Sequence, residues 1–308
     1  MLGHRHPMLM AAANQIFSGG GKQLRPLVVL LVAKATLPLM NLRQVQGGLE
    51  SHRRLAEIAE MIHTASLVHD DVLDGSPLRR GKPTVNSLFG TGVAVLAGDY
   101  LFAQSCALMA QLESLEVIKL VSQVVGDFAD GEISQRALLF KTDLTLEDYL
   151  DKSFYKTASL IAGGSRCAAM LSGCPPAVTE AMYQYGRQLG LAFQIMDDVL
   201  DYTQSAEVLG KPPGQDLRSG NITAPAHFAL LDPSAGPELR QLIESRFVTD
   251  DAHERALELI RGSDGISRSL KLAEKMVEGA LQALECLPPS PAKRSLQGML
   301  EYVPQRIF

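Results

Sequence analysis

The sequence predicts an all-α fold, and three observations carry that expectation. Apolar residues recur at three- and four-residue spacing through most of the 308-residue chain, the period of a helix with one buried face. Alternating Val/Ile/Thr segments are scarce, and aromatic residues make up 6% with no Trp, so little reads as a half-buried strand. Clusters of Gly and Pro separate the periodic segments.

Helices are expected at 6–18, 23–38, 48–75, 86–112, 114–139, 145–173, 176–204, 222–231, 236–247, 250–262, 264–287 and 290–306. Gly19, Gly20 and Gly21 end the first of these. The second holds the apolar run PLVVLLVA. Gly75, Ser76 and Pro77 stop the third. Pro175 and Pro176 separate 145–173 from 176–204, with Pro176 suited to a first helical turn. Leu287, Pro288 and Pro289 introduce the last helix. No hairpin pattern, fixed-period repeat or low-complexity tract is expected. The stretch 202–221, YTQSAEVLGKPPGQDLRSGN, is polar and rich in Gly and Pro. It reads as a loop, and its place beside an acidic motif suggests a lid.

The bulk numbers exclude several function classes. A length of 308 suggests one large domain or two small ones and is enough to bury a sizeable core. The net charge of −5 argues against nucleic acid as partner. The four cysteines show no CxxC or Cys/His metal spacing, so they read as buried reduced thiols in a reducing compartment. No uninterrupted apolar run reaches membrane-spanning length, so no transmembrane segment is expected. The stretch before Gly19 lacks the long apolar core of a signal peptide.

The chemistry is written in a repeated pentapeptide. DDVLD occurs at 70–74 and again at 197–201, each time after an apolar run (HTASLVHDD, GLAFQIMDD). Residues four apart share one helix face. Asp70 and Asp74, with Asp71 beside them, therefore cluster, and Asp197, Asp198 and Asp201 repeat the arrangement. Such carboxylates repel one another unless cations sit among them. Oxygen ligands without His or Cys suit Mg²⁺ or Mn²⁺, and Mg²⁺ bridges few carboxylates to phosphate oxygens. Basic residues flank the motifs: Lys22 and Arg25 in GGGKQLRP, Arg79, Arg80 and Lys82 in SPLRRGKPT, Lys156 in YKTAS, and Lys211 in LGKPP. Guanidinium and ammonium groups match phosphate oxygens. No Walker A loop is present. His63 precedes Asp70 by two helical turns on the same face, fitting either a phosphate contact or a satisfied structural histidine. His69–Asp70 also spells the HD dyad of metal phosphohydrolases, which would leave the second DDVLD unexplained.

GGGKQLRP, MIHTASLVHDDVLDGSPLRRGKPT, FYKTASL, FQIMDDVLD and GKPPGQDLRSGNITAP together resemble the trans-isoprenyl diphosphate synthases (polyprenyl synthetases) along nearly the whole chain. HRRLAEIAEMIHTAS, LFGTGVAVLAGDYLFAQ and LESLEVIKLVSQVVGDFADGEI are similar to long-chain members of the solanesyl diphosphate synthase type from plastids and cyanobacteria. The resemblance implies a single-domain isoprenoid synthase fold, with long helices around a central active-site cavity, and a homodimer. It implies that Asp70, Asp71, Asp74, Asp197, Asp198 and Asp201 bind about three Mg²⁺ and, through them, an allylic diphosphate such as farnesyl or geranylgeranyl diphosphate. Arg79, Lys156 and Lys211 would contact that diphosphate. Lys22, Arg25, His63 and Arg80 would hold isopentenyl diphosphate, and Thr157 and Gln194 would face the allylic cation.

By the same resemblance, Ala65 and Ser66 occupy the family's chain-length gate, one turn deeper than Asp70. Both are small, which suits a long product. A helix over 48–75 would run about 42 Å, enough to flank a long apolar tunnel. Two departures stand out: Asn221 stands where many family members, though not the resembled subgroup, carry Lys, and the usual N-terminal helix is shortened or missing. Plastid localisation and a quinone side chain as destination follow from resemblance alone. Competing readings are a shorter-chain geranylgeranyl or farnesyl diphosphate synthase, a terpene cyclase, a silent subunit of a heteromeric prenyltransferase, and a helical scaffold with acidic faces.

Overall fold

A computed structural model describes residues 6–18, 23–39, 49–205 and 212–305. Lys22, Lys211, the Gly19–Gly21 turn and the centre of the expected lid lie outside the described residues.

The helices form where the apolar period placed them. They are α1 Pro7–Ser18, α2 Leu24–Thr36, α3 Glu50–Leu73, α4 Val85–Phe89, α5 Thr91–Ala110, α6 Leu115–Ala137, α7 Leu146–Ser153, α8 Ser159–Leu171, α9 Pro176–Thr203, α10 Gln215–Arg218, α11 Ala224–Leu230, α12 Gly236–Glu244, α13 Asp250–Gly262, α14 Gly265–Ala283 and α15 Pro291–Gln305. Their starts are chemically marked. The Ser114 side chain accepts from the N–H of Val117, and Thr249 from that of Ala252. Thr145 and Asp148 form a reciprocal capping box at α7. Pro176 occupies the first turn of α9.

Three expectations need correction. The helix expected at 86–112 is two, α4 and α5, divided at Gly90, whose φ of 80° is outside the helical range. The helix expected at 145–173 contains a π-helical turn, Phe154–Ala158, between α7 and α8. A hairpin exists where none was expected: β1 Leu78–Arg79 pairs antiparallel with β2 Lys82–Pro83. Two-residue strands are too short to show alternation. The turn itself works because Arg80 and Gly81 both take positive φ, 54° and 76°, as a type I′ hairpin requires.

α9 is the axis of the molecule, packed against α8 on one side and α14 on the other. Contact with α8 is close because Gly186 and Gly190 expose backbone: a Cβ at Gly186 would lie 2.5 Å from the Ile161 carbonyl, and one at Gly190 would lie 2.6 Å from Ala158 Cα. α3 crosses against α2, α5 and α8. The main core joins these helices through residues such as Leu55, Ile58, Ile62, Leu189 and Ile195. A second core, containing Tyr202, Leu217, Ile222, Leu239 and Ile260, closes the fold beyond the end of α9. The ends of α3 and α9 and the π-helical turn are thus held by packed helices on several sides.

Among the described residues, α5 alone has the length and composition to cross a membrane, despite its interrupted apolar run; 33% of its most apolar window is buried. Val95 and Leu96 on α5 are exposed, as are Leu115 and Ile133 on α6.

Candidate active site

Two cavities, of 680 Å³ and 750 Å³, meet between the ends of α3 and α9. Arg25, Glu60, His63 and Asp197 line the first alone. Asp74, Lys152, Lys156, Asp198, Asp216 and Asn221 line the second alone. Asp71, Arg79, Arg80, Thr157 and Gln194 line both.

The first cavity has a buried guanidinium and imidazole in its wall. Arg25 Nη1 donates to His63 Nε2 at 2.9 Å. Burial, reinforced by Arg25, Arg80 and Arg79, drives the imidazole pKa down to about 2. His63 is therefore a neutral acceptor with its proton on Nδ1. Burial lowers Arg25 to about 10, so it stays charged near neutrality. Its Nε is buried without a hydrogen-bond partner. An uncompensated buried donor on a cation marks a place for an anion.

The second cavity takes Asp71, Asp74 and Asp198 from the acidic motifs. Asp71 is buried, and its Oδ1 accepts from both Arg79 Nε and Nη2 at 2.8 Å. The hairpin supplies this guanidinium. Asp74 lies 3.8 Å from Arg136. Burial, with Glu132 and Asp74 as further negative neighbours, raises the Asp70 carboxyl to about 6. From α9, Asp198 Oδ2 accepts from the Tyr149 hydroxyl at 2.6 Å, and its Oδ1 accepts from Gln194 Nε2 at 2.8 Å. Burial, then Asp216, pushes the Asp198 carboxyl up. Asp201 is buried and accepts from the Asp216 N–H at 3.3 Å.

The π-helical turn carries Lys156 and Thr157. Such turns rotate side chains out of helical register, often at functional sites. Thr157 donates to Gln194 Oε1 at 2.7 Å. The relay Thr157–Gln194–Asp198 runs along the junction of the two cavities. Lys156 donates to Glu132 Oε2 at 3.0 Å and Gln135 Oε1 at 3.3 Å. Gly131 permits that approach, since a Cβ there would lie 2.9 Å from Tyr155 Cβ.

The expected residues are not all brought together. Asp70 and Asp201 line neither cavity, and Asp197 faces the first while Asp198 faces the second. Among the described residues, no group of three or more His, Cys, Asp or Glu converges to hold a metal. The donor chemistry nevertheless fits a divalent ion that retains waters: partly buried carboxyls with raised pKa and no His or Cys donors. His69 turns to α5, bonding the Val95 carbonyl at 3.1 Å, which removes the HD-dyad reading. Ala65 is fully buried, and Ser66 donates to the His63 carbonyl at 2.9 Å; neither lines the two cavities.

Sequence reasoning missed Tyr149, Lys152, Glu132, Gln135, Arg136 and Asp216. Glu132, Gln135 and Arg136 share a helix face by spacing, and Asp216 sits on α10, within the stretch 202–221 that was expected to be a loop. Tyr149 and Lys152 carried no such signal.

The Polyprenyl synthetase family pattern matches residues 6–260. The chain is 53% identical over 307 residues to solanesyl-diphosphate synthase 2, chloroplastic, of Oryza sativa subsp. japonica, covering 100% of this chain and 75% of that protein. It is 53% identical to a prenyl transferase of Synechocystis, covering 92% of it. Among solved structures, a decaprenyl diphosphate synthase from Rhodobacter capsulatus superposes with a TM-score of 0.90 at 32% identity, covering 100% of this chain and 93% of that one. A polyprenyl synthase from Caulobacter crescentus, complexed with calcium and isoprenyl diphosphate, gives 0.87 at 34% identity, covering 98% and 90%.

Proposed function

The chain belongs to the polyprenyl synthetase family, and from that premise we propose that it condenses isopentenyl diphosphate repeatedly onto an allylic diphosphate to make solanesyl diphosphate. The chain is a long-chain trans-polyprenyl diphosphate synthase. The observation that carries the residue-level reading is the junction: a cavity lined by Arg25 and His63 and a cavity lined by Asp74, Asp198 and Lys156 share Thr157 and Gln194.

In this reading Arg25, His63 and Arg80 hold isopentenyl diphosphate in the first cavity, helped by Lys22. Arg79, Lys156 and Lys211 take the allylic diphosphate in the second. The carboxylates of Asp71, Asp74 and Asp198, with Asp197 from the first cavity and with Asp70 and Asp201, would hold Mg²⁺, for which Mn²⁺ can substitute. Bound there, the ions would supply charge neutralisation of the departing diphosphate. Arg79 and Lys156 add to that neutralisation where charge develops. Thr157 and Gln194 offer oxygen dipoles to an allylic cation at the junction. The nucleophilic double bond is presented from the neighbouring cavity, so proximity contributes much of the acceleration.

The exposed Val95, Leu96, Leu115 and Ile133 support a homodimer through α5 and α6. The chloroplastic relatives support a plastid-type role in quinone side-chain supply. The test is elongation of farnesyl or geranylgeranyl diphosphate with labelled isopentenyl diphosphate and Mg²⁺, followed by dephosphorylation and chromatography. A Mg²⁺-dependent ladder ending at solanesol supports the reading. A ladder that stops at geranylgeraniol rejects the product, and no elongation rejects the enzyme.

A further inference from the structure

Lys152 is a buried cation on the last turn of α7 that no motif accounts for, with 6% of its surface exposed. Its Nζ donates to Asn221 Oδ1 at 2.6 Å and to the Ile222 carbonyl at 3.1 Å. It lies 5.7 Å from the centre of the Tyr149 ring. Both hydrogen-bond acceptors are neutral, so they orient the ammonium without cancelling its charge. Lys156, one helical turn on, differs: its charge is offset by Glu132 at 3.0 Å. An ammonium has three donors, and two of those on Lys152 have partners among these contacts. The group also faces Asp198 from α9 and Asp216 from α10, and is repelled by Lys156. Lys152, Asn221, Asp198 and Asp216 all line the second cavity. When cations occupy those carboxylates, the charge of Lys152 is left for an anion in the same cavity.

We propose that Lys152 is a diphosphate-binding residue of the elongation site and that Asn221 is the positioning residue that fixes its ammonium at the cavity wall. The proposal rests on the reading of the second cavity as the allylic diphosphate site. It makes Asn221 a device that moves a positive charge from one wall residue to its neighbour rather than a loss of charge. The anion it takes is a diphosphate carried with divalent cations, because Lys156, Arg79, Asp71 and Asp74 line the same cavity.

A charge swap tests it. Inorganic pyrophosphate is titrated calorimetrically, with Mg²⁺ present, into the wild type, Lys152→Met, Lys152→Asn, Asn221→Lys and the double variant Lys152→Asn/Asn221→Lys. Thermal melts confirm folding. Lys152→Met keeps the buried stem, and should weaken pyrophosphate affinity about tenfold or more, the scale of a charge-assisted hydrogen bond. Asn221→Lys alone crowds two ammonium groups and should lower the melting temperature. The double variant returns one ammonium to the pair and should recover affinity to within about threefold of wild type. In elongation assays Lys152→Met should raise KM for the allylic substrate and leave KM for isopentenyl diphosphate within about twofold. If folded Lys152→Met binds pyrophosphate as the wild type does, or a folded double variant does not recover, Lys152 is only a tether between α7 and residues 221–222. A wild type that elongates while Lys152→Met keeps full affinity overturns this inference alone; a wild type that neither binds pyrophosphate nor elongates overturns the functional reading with it.

Discussion

Arg25 donates to Nε2 of His63 at 2.9 Å, and this contact fixes a neutral imidazole beside a guanidinium at the wall of the first cavity. The histidine that the sequence left open between phosphate contact and structural role is thus an acceptor that orients a cation.

The pair makes stability depend on pH in a definite direction. The His63 pKa falls from 6.5 to about 2 on folding, so the unfolded chain takes up a proton that the folded protein refuses. Stability is fully present above the unfolded pKa and is lost as pH falls below about 6.5. From there to about pH 5 the loss is about 2 kcal/mol. His52 and His227, whose pKa values burial also lowers, act in the same direction. Urea melts across this range should show the decline, and His63→Gln, which keeps a neutral acceptor, should flatten it. A His63→Gln profile as steep as wild type would reject a neutral buried His63.

Gly190 should tolerate no side chain. A Cβ there meets Ala158 Cα and Cβ at 2.6 Å, and Ala158 closes the π-helical turn that carries Lys156 and Thr157. Overpacking of this kind costs about 1–3 kcal/mol, against a helix-propensity gain for Ala of about 1 kcal/mol. Gly190→Ala should therefore lower stability in denaturant melts and reduce kcat by moving Thr157 away from Gln194. A stabilised, fully active variant would show that the approach of α9 to the turn is looser than described.

How much was legible in the sequence follows from what each residue depends on. The helices and both DDVLD motifs were readable because period and repetition are local properties. The hairpin at Leu78–Pro83 was not, because two-residue strands have no alternation and the turn relies on Arg80 adopting positive φ. The π-helical turn was invisible because FYKTA reads as ordinary helix, and its register shift is imposed by packing against α6 and α9. Tyr149 and Lys152 escaped notice because their partners, Asp198 and Asn221, are far away in the chain. That only Asp71, Asp74, Asp197 and Asp198 of the six aspartates line the cavities is likewise a matter of helix rotation, which a pentapeptide cannot express.

Asp198 should separate metal binding from folding. Burial raises its pKa and so disfavours the ionised form in the empty protein. Asp198→Asn removes that cost while keeping an oxygen for Tyr149 or Gln194. Its melting temperature without metal should equal or exceed that of wild type. The rise produced by Mg²⁺ with pyrophosphate should disappear, as it should for wild type in excess chelator. Activity should fall about a hundredfold or more, as when a preorganised charge contact is lost. A variant that keeps the Mg²⁺-dependent rise would remove Asp198 from the ligand set.

Chain length should respond to the helix face below the first motif. Ala65 and Ser66 lie on the order of 6–8 Å deeper along α3 than Asp70, and both side chains are small. Ala65 is fully buried, whereas Ser66 is half-buried with its hydroxyl bonded back to its own helix. A Phe at Ala65 must displace its neighbours at a cost of about 1–3 kcal/mol, and a Phe at Ser66 has more room to project. Both substitutions should shorten the main product in the elongation assay, with Ser66→Phe retaining more of the wild-type melting temperature. A shorter product from Ser66→Phe alone would put the growing chain on that side of α3. A wild-type product distribution from both folded variants would place the limit to chain growth elsewhere, because no polyprenyl chain could then be running past this turn of the helix.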